Sequence, residues 1–336
     1  MKHYTFIDYA TQAYNALVGV IILVLHGDAV PGWGWLVGGH VLCGVFIHAL
    51  IYANTARPNS RALDFLRHFY PVLLYAAFYR ETASLNQIGY TGYLDPWFYR
   101  LDEQLFGFAP SFAFMETLPS RLASELFYGA YFSYYVMIFG VGLALYLRNR
   151  RHFDHYIAVT SFVFYVCYVI YIFLPVIGPR IYYPSLVHFT LPAAAMPAHV
   201  PDFPAAVQSG VFYRIMEFVY DHFESPGAAF PSSHVAVALV TVYFSFLYLR
   251  SIRWVHLGTA IMLCLATVYC RYHFVVDVFA GLVTVALMLP LGNWFYRRLG
   301  RPRSAPLASD TERCSTTRSD RTRIGDLNAE NAKIAE

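Results

Sequence analysis

Phe230-Pro231-Ser232-Ser233-His234 opens a stretch that crosses two apolar segments and ends on Arg271-Tyr272-His273-Phe274-Val275-Val276-Asp277, just short of Gly281. Each apolar run is roughly 17 to 20 residues long, the length a helix needs to cross the hydrocarbon of a bilayer. The basic break Arg250-Ser251-Ile252-Arg253 separates them. One crossing down and one back up returns His273 to the membrane face where His234 sits. The stretch therefore predicts a membrane hairpin with a histidine at each outer end.

Composition extends that reading to the whole chain. The 336 residues are 57% hydrophobic and only 13% charged, with a mean hydropathy of +0.43. A soluble domain carries about 25% charged residues, so the predicted fold class is all-α, a polytopic membrane helical bundle. The 28 Tyr and 28 Phe suit it: Tyr belongs at the water–lipid interface and Phe in the core or against lipid. A formal charge of +3 says little about partners, because the arginines mark orientation locally; no nucleic-acid partner is expected. Cys43, Cys167, Cys264, Cys270 and Cys314 form no C-x-x-C pair, which indicates neither a zinc site nor a disulfide framework. The N-terminus carries only Lys2 against Asp8 before a second apolar segment follows. It reads as a retained first helix rather than a cleaved signal.

Apolar segments fall at about 12–27, 33–53, 63–80, 124–147, 156–176, 232–249, 254–271 and 274–296, about eight transmembrane helices. The third is the weakest, with Arg67 and Arg80 near its ends. Arg57, Arg61 and Arg67 follow the second segment, Arg148, Arg150 and Arg151 the fourth, Arg250 and Arg253 the sixth, and Arg297, Arg298, Arg301 and Arg303 the eighth. Every even-numbered exit is basic, which places both termini in the cytoplasm. Gly178-Pro179-Arg180, His234, and the His273–Asp277 pair then share one non-cytoplasmic surface. A six-helix catalytic core is expected among the transmembrane helices, and three units along the chain: N-terminal helices and an outer loop over 1–123, a catalytic helical core over 124–300, and a disordered cytoplasmic tail over 301–336. The outer connection 177–231 is Pro-rich and carries Val207, Val211, Ile215 and Phe218 at helical spacing, an amphipathic piece suited to lie on the membrane. It and the connection 81–123, with Asp95-Pro96 and Asp102-Glu103, have the length of a lid or vestibule, or of plain packing over helix ends.

The chemistry rests on seven residues. His273 and Asp277 are four apart, so on one helix they share a face. An aspartate in an apolar stretch is expensive unless paired. If Asp277 holds one ring nitrogen of His273, the other is left as an outward lone pair, as a nucleophilic histidine requires; a structural pair joining two helices is the even alternative. Pro231 suits a first helical turn, with Ser232 and Ser233 offering N–H groups to an anion at the helix N-terminus. His234 beside them suits a general acid. Arg180, behind Gly178-Pro179, is expected on phosphate. Arg271 is expected either on phosphate or extended to lipid headgroups.

Together these motifs resemble the type 2 phosphatidic acid phosphatase superfamily, which includes the vanadium haloperoxidases. Its Pro-Ser-Gly-His-like motif stands here as Pro231-Ser232-Ser233-His234, and its later His-and-Asp motif as His273-Phe274-Val275-Val276-Asp277. The resemblance implies that His273 forms a phosphohistidine, Asp277 orients it and His234 protonates the leaving group, at a site outside the cytoplasm and with no metal or other cofactor. The chain departs from the phosphatase branch in having Gly178-Pro179-Arg180 upstream and Thr267 six residues before His273, where that branch carries arginine. Tyr269-Cys270-Arg271-Tyr272-His273-Phe274-Val275-Val276-Asp277-Val278 is more similar to the inositol phosphorylceramide synthase branch, as is Asp102 with Leu105-Phe106-Gly107. That branch implies a phospholipid substrate and a second lipid or polyol alcohol as acceptor in place of water. A lipid phosphate phosphatase is the first alternative. A transporter or lipid-binding protein is the alternative of another class, although no internal repeat is present. The H-E-x-x-H signature of a metalloprotease is absent.

Overall fold

The computed structural model describes residues 3–28, 30–185 and 202–299. The tail beyond 300, and the proline-rich part of the outer connection over 186–201, lie outside these residues. The described chain is all-α. Its helices in order are α1 (Phe6–Leu25), α2 (Trp33–Ala56), α3 (Arg61–Leu85), α4 (Asp95–Phe106), α5 (Pro110–Thr117), α6 (Arg121–Arg148), α7 (Arg150–Phe173), α8 (Pro179–Ser185), α9 (Ala205–Gln208), α10 (Val211–Phe223), α11 (Ser233–Tyr248), α12 (Arg253–Tyr269) and α13 (Val275–Leu299). Each of the eight expected apolar segments is a helix. Among the described residues α1, α2, α6, α7 and α13 are long and apolar enough to cross a membrane, and α11 and α12 are shorter apolar helices.

Two helices begin about six residues ahead of their apolar runs, because polar caps and not hydropathy set their starts. At α1, Thr5 and Asp8 satisfy each other in a capping box, with Thr5 N–H and Oγ1 bonding Asp8 at 2.7 and 2.8 Å. At α7, the Asn149 side chain accepts from Arg151 and His152 N–H. α3 is the helix whose charges weaken its hydropathy, and several of those charges meet protein partners. Arg67 forms a buried pair with Asp8, which also accepts from Tyr70 at 2.8 Å. Glu81 meets His40 at 3.0 Å, and Arg80 donates to the His222 carbonyl at 2.9 Å.

α7 is the central helix. Of its apolar window 72% is buried, against 22% for α2 and α13, and it contacts α1, α3, α6, α11 and α13. Outward faces are strongly apolar: Val24, Leu42, Tyr52, Leu147 and Val255 are each more than two-thirds exposed, as lipid-facing side chains must be. The short helices α4, α5 and α8 to α10 gather at the end of the bundle where α7 stops and α11 and α13 start. The stretch 207–218 is not one amphipathic helix. Ser209-Gly210 divides it, so Val207 is buried at the end of α9 while Val211, Ile215 and Phe218 lie exposed along α10.

Candidate active site

Backbone hydrogen bonds join three distant segments at that end of the bundle. Val176 N–H donates to the Gly227 carbonyl at 3.4 Å, and Ala229 N–H to the Val176 carbonyl at 2.8 Å. Arg180 N–H donates to the Arg271 carbonyl at 2.6 Å, and Ser232 N–H to the Asp277 carbonyl at 3.1 Å. The Gly-Pro-Arg segment thus lies between the approach to Ser232 and the turn that carries His273. Gly178 makes this approach feasible. Its φ is +85°, and a Cβ there would stand 2.4 Å from the Tyr272 carbonyl oxygen. At Gly281 a Cβ would stand 2.7 Å from the Ser232 carbonyl, so α13 crosses the start of α11 almost in backbone contact.

Two buried carboxylates of α4 hold the segments in place. Asp95 accepts from Ile177 and Gly178 N–H at 2.9 and 2.8 Å. Burial pushes its pKa up to about 7, against these two bonds that favour the charged form. Asp102 accepts from Val275 and Val276 N–H at 2.9 and 3.1 Å and so caps α13. Anions at these free N–H groups are favoured by the helix dipole as well.

His273 lies in the turn before α13 rather than on the helix. Asp277, in the first turn of α13, takes Phe274 N–H at 2.9 Å and faces His273 Nδ1 at 3.4 Å through the same oxygen. The shared face expected from the spacing is therefore a cap geometry. His273 Nε2 points to His234 Nδ1 at 3.4 Å. His234 Nε2 in turn lies 2.9 Å from the Tyr131 hydroxyl. Asp277, His273 and His234 form one line of contacts in a buried setting. Burial pushes His273 down to about 4, leaving its imidazole neutral at pH 7.

The serines differ from expectation. Helix α11 starts at Ser233, with Ser232 as its N-cap accepting from Val235 N–H at 3.4 Å. Pro231 therefore precedes the cap instead of opening the first turn, and the N–H of Ser232 is engaged by Asp277 instead of free. Ser233 is buried beside the Tyr171 hydroxyl, which also donates to the Pro231 carbonyl at 3.1 Å.

Arg180 is partly buried in an aromatic enclosure, its guanidinium 5.4 Å from the Tyr220 ring, 5.5 Å from Tyr272 and 5.7 Å from Phe203. Its Nη1 has no hydrogen-bond partner among the described residues, and the surrounding tyrosines raise its pKa further despite burial. Arg271 is 2% exposed, between the Phe112 and Phe203 rings at 5.0 and 4.8 Å, and does not extend to a lipid surface. It has φ +59°, a left-handed conformation that costs a side-chain-bearing residue about 1–2 kcal/mol.

Sequence reasoning assigned no role to Asp95, Asp102, Tyr131, Tyr220 or Glu224. The first two had a signal, as acids in an otherwise aromatic connection. Tyr131 is one of several tyrosines in α6 and has no local mark. Glu224, at the end of α10, is pushed up to about 7 by burial, with Arg180 opposing that rise.

The sequence model of the PAP2 superfamily matches residues 96–291. No curated protein and no solved structure matches the chain. The family match takes in α4 after Asp95, α5 to α12, most of α13 and each of the three segments joined above, more than half of the chain. The protein thus belongs to the PAP2 superfamily, whose members are generally phosphoesterases and phosphotransferases.

Proposed function

We propose that this protein is a metal-independent membrane phosphotransferase that acts on a phospholipid phosphate ester through a phosphohistidine on His273. The observation that carries the reading is the line from Asp277 through His273 to His234, with His273 Nε2 turned toward His234. In the first step the Nε2 lone pair attacks phosphorus, an N–P bond forms, and the P–O bond to the leaving alcohol breaks. The leaving oxygen takes the Nδ1 proton of the His234 imidazolium, which becomes the neutral ring protonated at Nε2. Asp277 accepts the Nδ1–H of His273 and offsets the charge that develops on the ring. Arg180 and Arg271 hold the phosphoryl oxygens. In the second step an acceptor hydroxyl gives its proton to His234 and attacks phosphorus, and the N–P bond breaks to regenerate His273.

The acceptor we favour is the alcohol of a second lipid or polyol. The run Tyr269–Val278 resembles the inositol phosphorylceramide synthase branch, and Asp102, which that resemblance includes, caps the helix behind His273. Water as acceptor would make the protein a lipid phosphate phosphatase. The arginines at the even-numbered exits support cytoplasmic termini and a site on the non-cytoplasmic face. We place the catalytic helical core over 124–300, with the N-terminal helices and outer loop of 1–123 supplying Asp95 and Asp102 behind it.

The test is turnover of purified protein in detergent, with labelled phospholipid, a chelator, and ceramide or diacylglycerol present or absent. Headgroup transfer to the acceptor is the expected result, and His273→Ala is expected to abolish phosphoenzyme formation. Release of free phosphate from phosphatidic acid would replace the transferase by a phosphatase. Neither product from folded protein would overturn the enzymatic reading in favour of a transporter.

A further inference from the structure

Among the groups given no role in the proposed chemistry, the one that touches His234 most directly is Tyr131. It is fully buried on α6, with its hydroxyl 2.9 Å from His234 Nε2 and 2.6 Å from the Tyr220 hydroxyl. Tyr131 and Tyr134 press on the imidazole with ring centroids at 4.8 and 4.5 Å. Tyr220, half-buried on α10, stacks on Tyr272 at 4.0 Å and 11°, so the pair is fixed to the turn that carries His273. The ionisable groups in contact with His234 are thus Tyr131 and Tyr134 from α6 and His273 from the α12–α13 turn, with Tyr220 of α10 one bond further out.

Counting protons along this chain gives it a direction. A carboxylate acceptor at Asp277 puts the His273 proton on Nδ1 and leaves a lone pair on Nε2. His234 Nδ1, which faces that lone pair, must then carry a proton. When His234 is neutral, its Nε2 is an acceptor, filled by the Tyr131 O–H, while the Tyr131 oxygen accepts from Tyr220. When His234 is an imidazolium, Nε2–H donates to the Tyr131 oxygen and the Tyr131 O–H turns to Tyr220. A hydroxyl serves both states because it donates and accepts.

We propose that Tyr131, backed by Tyr220, is the positioning residue of His234. Its hydroxyl bonds Nε2 in either charge state and so keeps the Nδ1 proton aimed at His273, where the leaving oxygen departs. The proposal rests on the phosphohistidine reading only for the group that receives this proton. The state of the His234 ring is measurable without turnover.

The variant is Tyr131→Phe, which keeps the ring and removes the hydroxyl. Ring-15N NMR of histidine-labelled protein in nanodiscs, with His234→Asn identifying the signal, is expected to show neutral His234 protonated at Nδ1. In Tyr131→Phe a mixture of the two tautomers is expected. With an alkyl phosphate donor, kcat is expected to fall about tenfold or more, a part of the roughly 10²–10⁴-fold that a general acid contributes. With an aryl phosphate, whose leaving group needs no proton, little loss and an unchanged KM are expected. An unchanged tautomer, or equal losses with both donors, would overturn the proposal. Wild-type protein without turnover would count against the phosphohistidine, while the NMR comparison would still decide for or against Tyr131. Should Tyr131→Phe not fold, Tyr220→Phe at the rim carries the same two comparisons, with a smaller change expected in each.

Discussion

In the proposed mechanism His273 combines two features that usually oppose each other: it is buried, and it serves as a nucleophile. Burial resolves the conflict, because excluding water disfavours the imidazolium and brings the pKa down to about 4. A depressed base is neutral above its folded pKa, so the lone pair is present throughout pH 5–8 and is lost as pH falls through about 4. With an aryl phosphodiester donor, which has no phosphate proton to lose in this range and whose leaving group needs none from His234, quenched-flow trapping of the phosphoenzyme should show burst rates level from pH 7 to 5. Half-loss near the ordinary imidazole value of about 6.5 would mean that the site is wet. Gly178 is the other residue on which the geometry turns. Gly178→Ala sets a Cβ against the Tyr272 carbonyl and adds about 1–2 kcal/mol of left-handed strain. Since Arg180 and the His273 turn both move when that contact opens, a loss of activity larger than the loss of thermal stability is expected.

At the scale of elements, the start of α13 decides where His273 sits. Asp277 satisfies Phe274 N–H, and Asp102, brought from α4, satisfies the next two. Asp102→Ala should cost about 1–2 kcal/mol, as loss of an N-cap does, read as a lowered midpoint in detergent melts. Because Asp102 touches the helix start and not the phosphate, kcat should fall with little change in donor KM; a pure KM effect would place Asp102 on the substrate side instead. This cap explains which parts of the molecule were legible in the sequence. Hydropathy marks apolar helices, and it located each of the eight. It is silent on α4, α5 and α8, and it ran α9 and α10 together; the positions of such short helices depend on single polar contacts such as Asp95 to Gly178. The motif residues His234, His273, Asp277 and Arg180 stood out because charge and imidazole are rare in apolar chain. Tyr131 did not, since nothing local separates it from Tyr128 or Tyr134, and only the fold brings it to His234.

For the whole molecule, the even-numbered exits carry the argument about sidedness. The α2–α3, α6–α7 and α11–α12 turns and the end of α13 all bear arginines, while the active-site segments all lie at the opposite ends of the same helices. A bundle with an odd number of crossings would put those arginines on both sides. The weak point is α3, whose five charged residues keep it out of the group of clearly apolar spans. Its pairing explains how it can cross: Arg67 with Asp8 and Glu81 with His40 turn the charges toward α1 and α2 rather than lipid, and intramembrane charges are tolerated when paired in this way. The prediction is made on a background with the native cysteines replaced. Single cysteines at Arg57 and Arg250 should react with an impermeant maleimide only after the membrane is opened. Cysteines at Tyr90 and Phe223, exposed positions on the active-site side, should react in intact cells. If Arg57 and Tyr90 label from the same side, α3 does not cross. The N-terminus would then lie outside, and α1 and α2 would run opposite to the direction that their flanking charges set.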